Sequence, residues 1–435
     1  MHAHADVPVL VRPLGGVLYT SRAEKFLTLG NMRTGERRHT FEFVNGLRGL
    51  AALQVVALHY CSSFLPFVAR VDGPAHYNFE NVSGYSPAFF LIDGYSAVYL
   101  FFLMSGFVLA PSFIGSDVGV ARQIGKRFTR LYVPVAGALA LAFTLSILLP
   151  SAKDFVAQQS HSGWVRALFE NPLTLPSVLR EFVLNSMLVS YQGVSIFDRV
   201  LHATSITQSL DAPLWTIHIE FWGSILVILV CAAYRQLPSR LFWFLFALLL
   251  LCFGASYFSL FLVGFGIFTA KESLFTRDGR TYVAAGIAMI VIAAVVSSTV
   301  RPQWFGPILT AIGKIAVAQV EGPQVIQREL CTILLFLGVV LLGVHRRWLE
   351  TPVLLWLGRI SFSLYLVHFP LLFTATFLVF KLLIVHLSYG VAMLSASAIM
   401  LPITLVVAHY FEKYVDRAAI RTSRGIAFRF RTQTR

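Results

Sequence analysis

Between residues 241 and 270 the chain carries no charged side chain. An α-helix needs about 20 apolar residues to cross a bilayer. Comparable apolar runs recur at about 46–66, 95–114, 131–150, 211–234, 281–299, 329–344, 352–380 and 389–411. In lipid the backbone must satisfy its own hydrogen bonds, and runs this long and uniform do so as helices. Composition agrees: 57% of the 435 residues are hydrophobic and 13% are charged, against about 25% charged in soluble domains. The expected fold is all-α, a polytopic integral membrane helical bundle.

The 241–270 run is long for one pass and short for two. Charge decides between them. Cytosolic loops are rich in Lys and Arg. If 241–270 is two short helices joined near Gly254–Ser256, about ten transmembrane helices result. The basic clusters Arg122–Arg130, Arg235 with Arg240, Lys271 with Arg277 and Arg280, and His345–Arg347 then fall on one side with both termini. The expected organisation is a cytosolic basic N-terminal arm at 1–42, a membrane domain at 43–412 and a cytosolic basic tail at 413–435. Within the domain, 151–213 is a long outer or lumenal segment with amphipathic stretches near 164–170 and 178–189. The membrane is the plasma membrane or an endomembrane in a eukaryote, and the inner membrane in a bacterium. The net charge of +14 is explained by loop position, so nucleic acid is not an expected partner. Asn81-Val-Ser83 is a glycosylation sequon on the outer side under this topology. Cys61, Cys231, Cys252 and Cys331 all lie in apolar runs and suggest neither a disulfide set nor a metal site.

Ionisable residues within membrane spans are costly and mark candidate sites. Arg48 and His59 are eleven residues apart in the first span, which puts them on one helix face about 16 Å apart. Each also has a plain structural reading, a snorkelling anchor and a hydrogen-bonded interior histidine. Arg127 and Arg130 are spaced to point the same way at the cytosolic boundary. If the fourth span enters near Ala212, with Asp211 as its N-cap, Glu220 lies about 12 Å below the outer boundary, level with His59. Ser105-Gly106 sits near mid-depth, where glycine permits close helix approach. A neutral imidazole can act as a general base toward a hydroxyl group.

Five segments, in order, resemble acyltransferase family 3. They are Leu47-Arg-Gly-Leu-Ala-Ala with His59, Phe101-Phe-Leu-Met-Ser-Gly-Phe107, Arg127-Phe-Thr-Arg130, Leu214-Trp-Thr-Ile-His-Ile-Glu220, and Gly358 through Pro370. The resemblance spans about 45–412. It implies an integral-membrane enzyme that transfers acyl groups from acyl-CoA, a co-substrate and not a bound cofactor, to hydroxyls of glycans, lipids or small natural products. It implies His59 as catalytic base with Arg48 and Glu220. Arg127, Arg130 and Ser105 would hold the donor, and Tyr365 and His368 would line or orient the substrate site. No metal is implied. Tyr99 stands where many members have Asp. The sequence style is similar to that of fungal members acting on secondary metabolites, with an acetyl or other short acyl group transferred. A multi-pass transporter of a polar or acylated small molecule is the alternative, and an inactive scaffold the third.

Overall fold

The computed structural model describes residues 41–116, 118–201, 203–254, 256–275, 279–298 and 322–429. The basic arm up to residue 40, residues 299–321 and the last residues from 430 lie outside them. The described chain is helical, and one isolated bridge, Tyr191 to Thr204, is its only extended pairing.

Ten helices form the bundle among the described residues: α1 Glu42–Phe64, α2 Gly94–Ile114, α3 Val120–Leu148, α4 Trp215–Gln236, α5 Ser239–Phe253, α6 Tyr257–Thr269, α7 Arg280–Ser298, α8 Gly322–Leu341, α9 Pro352–Leu371 and α10 Tyr389–Phe411. Seven stretches are long and apolar enough to cross a membrane, and α5 and α6 are shorter apolar helices. With α1 they give the expected ten. The 241–270 run divides as its length requires: α5 ends against Gly254, and α6 begins after Ser256.

Two contacts set the bundle's register. Helices α1 and α9 run parallel and nearly touch. A Cβ on Gly358 would sit 2.0 Å from the Asn45 carbonyl oxygen, and one on Gly49 would sit 2.7 Å from the Gly358 nitrogen. The same occurs between α2 and α6, where a Cβ on Gly106 would lie 2.1 Å from the Phe261 carbonyl oxygen. Small residues replace side-chain packing with backbone approach, which suits a lipid-solvated bundle. Residue 41 packs on Phe107 and Phe275, and Asp416 reaches Arg130. Both ends of the described chain therefore lie at one end of the bundle, called basal here; the other is apical.

Two expectations fail on local geometry. Asp211 does not cap α4. Its side chain makes no cap bond, and the helix is entered through a 3₁₀ turn at Ala212–Leu214. The last helix does not stop near residue 412. It passes through a π turn at Glu412–Asp416 into Arg417–Arg429, so the start of the basic tail packs on α3 as part of the bundle.

Candidate active site

The site is built in two tiers along α9. The basal tier is a cavity of about 90 Å³ lined by Arg48, Ser105, Arg127, Arg130 and Glu220, with Phe101, Thr216 and Tyr365 at its far end. Helices α1, α3 and α4 supply the charged groups, and α2 supplies Ser105. Arg127 forms an ion pair with Glu220, which also accepts from the Ser105 hydroxyl at 2.8 Å. Arg130 pairs with both oxygens of Asp416. Arg48 lies in the field of both pairs yet makes no direct hydrogen bond among the described residues. The Nε of Arg127 is likewise buried and unpartnered. Two acids thus neutralise two arginines, and the Arg48 guanidinium faces the cavity as a cation ready for an anion.

The apical tier centres on His59. Its Nδ1 lies 2.7 Å from His368 Nε2. His368 Nδ1 lies 3.0 Å from the Leu364 carbonyl oxygen. A carbonyl only accepts, so His368 carries its proton on Nδ1 and its Nε2 is an acceptor. The Nδ1–H of His59 therefore donates, and its Nε2 is left with a free lone pair. The rings meet edge to edge, nearly coplanar at 8°. Trp164 covers one face of His59 at 5.5 Å and 14°, and Phe369 abuts it edge-on.

Trp164 reaches His59 because its short helix, Gly163–Ala167, is docked on the apical end of α1. The Ser162 hydroxyl donates to the Ser62 carbonyl at 2.7 Å, and the Gly163 N–H donates to the Asp72 carbonyl at 2.9 Å.

Tyr365 joins the tiers. It lines the cavity, its hydroxyl donates to the Pro213 carbonyl at 2.9 Å, and Thr216 Oγ1 lies 2.8 Å from it. Its ring centroid is 5.9 Å from that of His368. Three residues of helix, about 4.5 Å, separate the two along α9.

Glu220 departs from the expected layout. It belongs to the basal tier with Arg127 and Ser105, and the partner of His59 is His368. The reason is that α4 starts deep. The segment before it dips into the bundle: Trp222 Nε1 donates to the Leu188 carbonyl at 3.2 Å, and His218 Nδ1 donates to the Met187 carbonyl at 3.1 Å. Depth counted from Ala212 as an outer boundary therefore placed Glu220 too far out. His218 ties that segment to α4. Tyr99 packs edge-on against Tyr257 at 5.1 Å. Asn81 is exposed on the short apical helix Asn78–Ser83, away from both tiers.

Two residues of the site escaped the sequence reading. Asp416 is an acid in an otherwise basic tail, a signal that could have been used. Trp164 lies in a segment whose pattern gives no hint of its target.

The acyltransferase-domain profile of acyltransferase family 3 matches residues 41–410. The chain belongs to acyltransferase family 3. Its curated relatives include O-acetyltransferase PaAT-1 of Phomopsis amygdali, 25% identical over 89% of this chain and 84% of the relative. No solved structure matches the chain. The family 3 assignment makes the protein a membrane acyltransferase. All five segments that suggested the family contribute to the two tiers or their helices.

Proposed function

We propose that this protein is an O-acyltransferase that moves a short acyl group, acetyl in the first instance, from acyl-CoA to a hydroxyl of a small natural product or glycan. The observation that carries the reading is the free Nε2 lone pair of His59, with the opposite ring nitrogen committed to His368. The relative's printed activity supports acetyl as the group transferred.

The donor's phosphates bind Arg48, with Arg127 and Arg130 behind it. The distance from Arg48 to His59, about 16 Å along α1, calls for a donor with an extended arm between its anionic end and its reacting carbonyl. His59 Nε2 takes the acceptor's hydroxyl proton as the oxygen attacks the thioester carbon. The resulting imidazolium is stabilised through its Nδ1–H bond to neutral His368. Collapse breaks the carbon–sulfur bond, and the departing thiolate takes the proton from His59. Holding donor and acceptor on one axis, away from bulk water, contributes much of the acceleration.

Orientation follows from charge. Arg235, Lys271 and Arg346 lie at the basal end, by Ser116, Phe268 and Phe43 respectively. The positive-inside rule supports a cytosolic basal end, the side from which the donor enters in this reading. Asn81 then faces outward and is available for glycosylation in a eukaryotic host.

The test supplies membranes containing the protein with acetyl-labelled acetyl-CoA and an extract of candidate alcohols. Label should appear in a base-labile ester, with one CoA thiol released per ester formed. Ester formation without thiol release, or no transfer with any acceptor, would contradict the acyl-CoA reading.

A further inference from the structure

A histidine that takes a proton becomes a cation, and a cation held away from bulk water needs a compensating charge or dipole. His59 has no acid to supply one. No carboxylate acts on it among the described residues, and its hydrogen-bond partner is the ring of His368. An indole faces it instead. The rings of Trp164 and His59 lie 5.5 Å apart at 14°. Nearly parallel at that separation, the indole lies over the imidazole face with an offset. The face of a tryptophan is the most attractive aromatic surface for a cation, within about 6 Å of the ring centroid. Phe369 crosses the same imidazole at 77° and offers it no parallel face.

The chain holds Trp164 in place against local preference. Its helix, Gly163–Ala167, has five residues, too few to be stable alone. Left-handed residues other than glycine bracket it, His161 at φ 52° and Phe169 at φ 61°. Such backbone is unfavourable for a bulky side chain. It persists where surrounding contacts over-determine it, and it clusters at functional sites. The contacts here are identifiable. The Ser162 hydroxyl accepts the Val165 N–H at 3.2 Å while donating to the Ser62 carbonyl of α1. At the other end Lys153 Nζ donates to the carbonyls of Arg166 and Leu168 at 3.3 and 3.2 Å. The ring of Phe169 stacks on Phe373 at 5.6 Å and 24°, and Phe373 meets Trp164 at 68°. Phe369 and Phe373 are themselves buried, so the indole rests against a fixed aromatic wall.

We propose that Trp164 is a positioning residue for the transfer, its ring face stabilising the imidazolium that forms on His59 as the acceptor loses its proton. The neutral imidazole gains less from the indole, so the contact strengthens towards the transition state. An aromatic ring from the apical segment thus does here what a buried carboxylate does in the Ser-His-Asp triad. The inference rests on the acyl-transfer reading, in which His59 is the base.

The test measures single-turnover acetyl transfer by the full-length protein in membranes, which separates chemistry from product release. The Trp164 codon is read as tryptophan carrying no, one, two or three ring fluorines. Fluorine withdraws negative charge from the ring face and leaves its shape almost unchanged. The rate should fall with each fluorine, by about tenfold over the series, while half-saturation by acetyl-CoA stays within about twofold. Trp164→Leu should lose at least as much as the most fluorinated protein, and Trp164→Phe should fall between Trp164→Leu and wild type. A rate unmoved by fluorine would overturn the proposal whatever Trp164→Leu does, because packing alone is blind to ring charge. No transfer by wild type to any acceptor would instead contradict the acyl-transfer reading on which the inference stands.

Discussion

His59 and His368 meet through a single hydrogen bond, Nδ1 to Nε2 at 2.7 Å, between helices that start 310 residues apart in the chain, at Glu42 and Pro352. The bond fixes a tautomer as well as a position. Because the Leu364 carbonyl claims the other His368 nitrogen, the proton order along the dyad is set by the backbone of α9.

Replacing His368 by Phe keeps the packing and removes the acceptor. His59 then loses its fixed tautomer and the support for its charged form. We expect kcat to fall on the order of 10²-fold while the KM for acyl-CoA stays within about twofold, because the lost interaction acts in the transition state. Steady-state kinetics with varied acyl-CoA read both. A matching rise in KM with unchanged kcat would assign His368 to donor binding instead.

Asp416 orients Arg130 from a helix whose span was expected to end before it. Asp416→Asn removes the charge and keeps the shape. The donor KM should rise several-fold with kcat changed less, since a binding group has lost its support. Kinetics at two salt concentrations check this, and an unchanged KM would leave Asp416 as an anchor for the last helix alone.

Arg127→Ala strips Glu220 of its partner inside the bundle. Leaving one member of a buried pair uncompensated costs about 3–5 kcal/mol. Removing both charges with apolar residues of similar size should recover most of that stability. Thermal unfolding of Arg127→Ala and of Arg127→Met with Glu220→Leu gives the comparison. Activity should remain low in both, because Arg127 borders the anion site.

Gly358→Ala places a methyl group against the Asn45 carbonyl, where 2.0 Å is available. Helices α1 and α9 must separate, at a cost of about 1–3 kcal/mol or more. The dyad spans that same pair of helices, so activity should fall together with unfolding temperature. Normal activity in a stable Gly358→Ala protein would show that the register is set elsewhere.

Much of this was legible in the sequence. Apolar run length and the placement of Lys and Arg gave the ten helices and the break at Gly254, because lipid imposes both rules on each segment separately. Eleven-residue spacing put Arg48 and His59 on one face of α1 without any tertiary information. The errors arose where position depends on packing between segments. Glu220 lies deeper than a count from Ala212 implies because the 181–214 segment dips into the bundle, and Asp211 does not cap α4 because the chain turns before the helix begins. His368 was legible as a candidate, but its bond to His59 depends on how closely α1 and α9 approach. Trp164 is set by docking of the apical helix on Ser62, which leaves no periodic trace.

The central claim is that the His59 imidazole removes the acceptor's proton. The most direct measurement compares labelled acetyl transfer from acetyl-CoA by wild type and by His59→Ala, at equal amounts of folded protein in the same membranes. The account predicts that transfer falls on the order of 10²–10⁴-fold while acyl-CoA binding at the Arg48 cavity persists. Transfer by His59→Ala at the wild-type rate would contradict it.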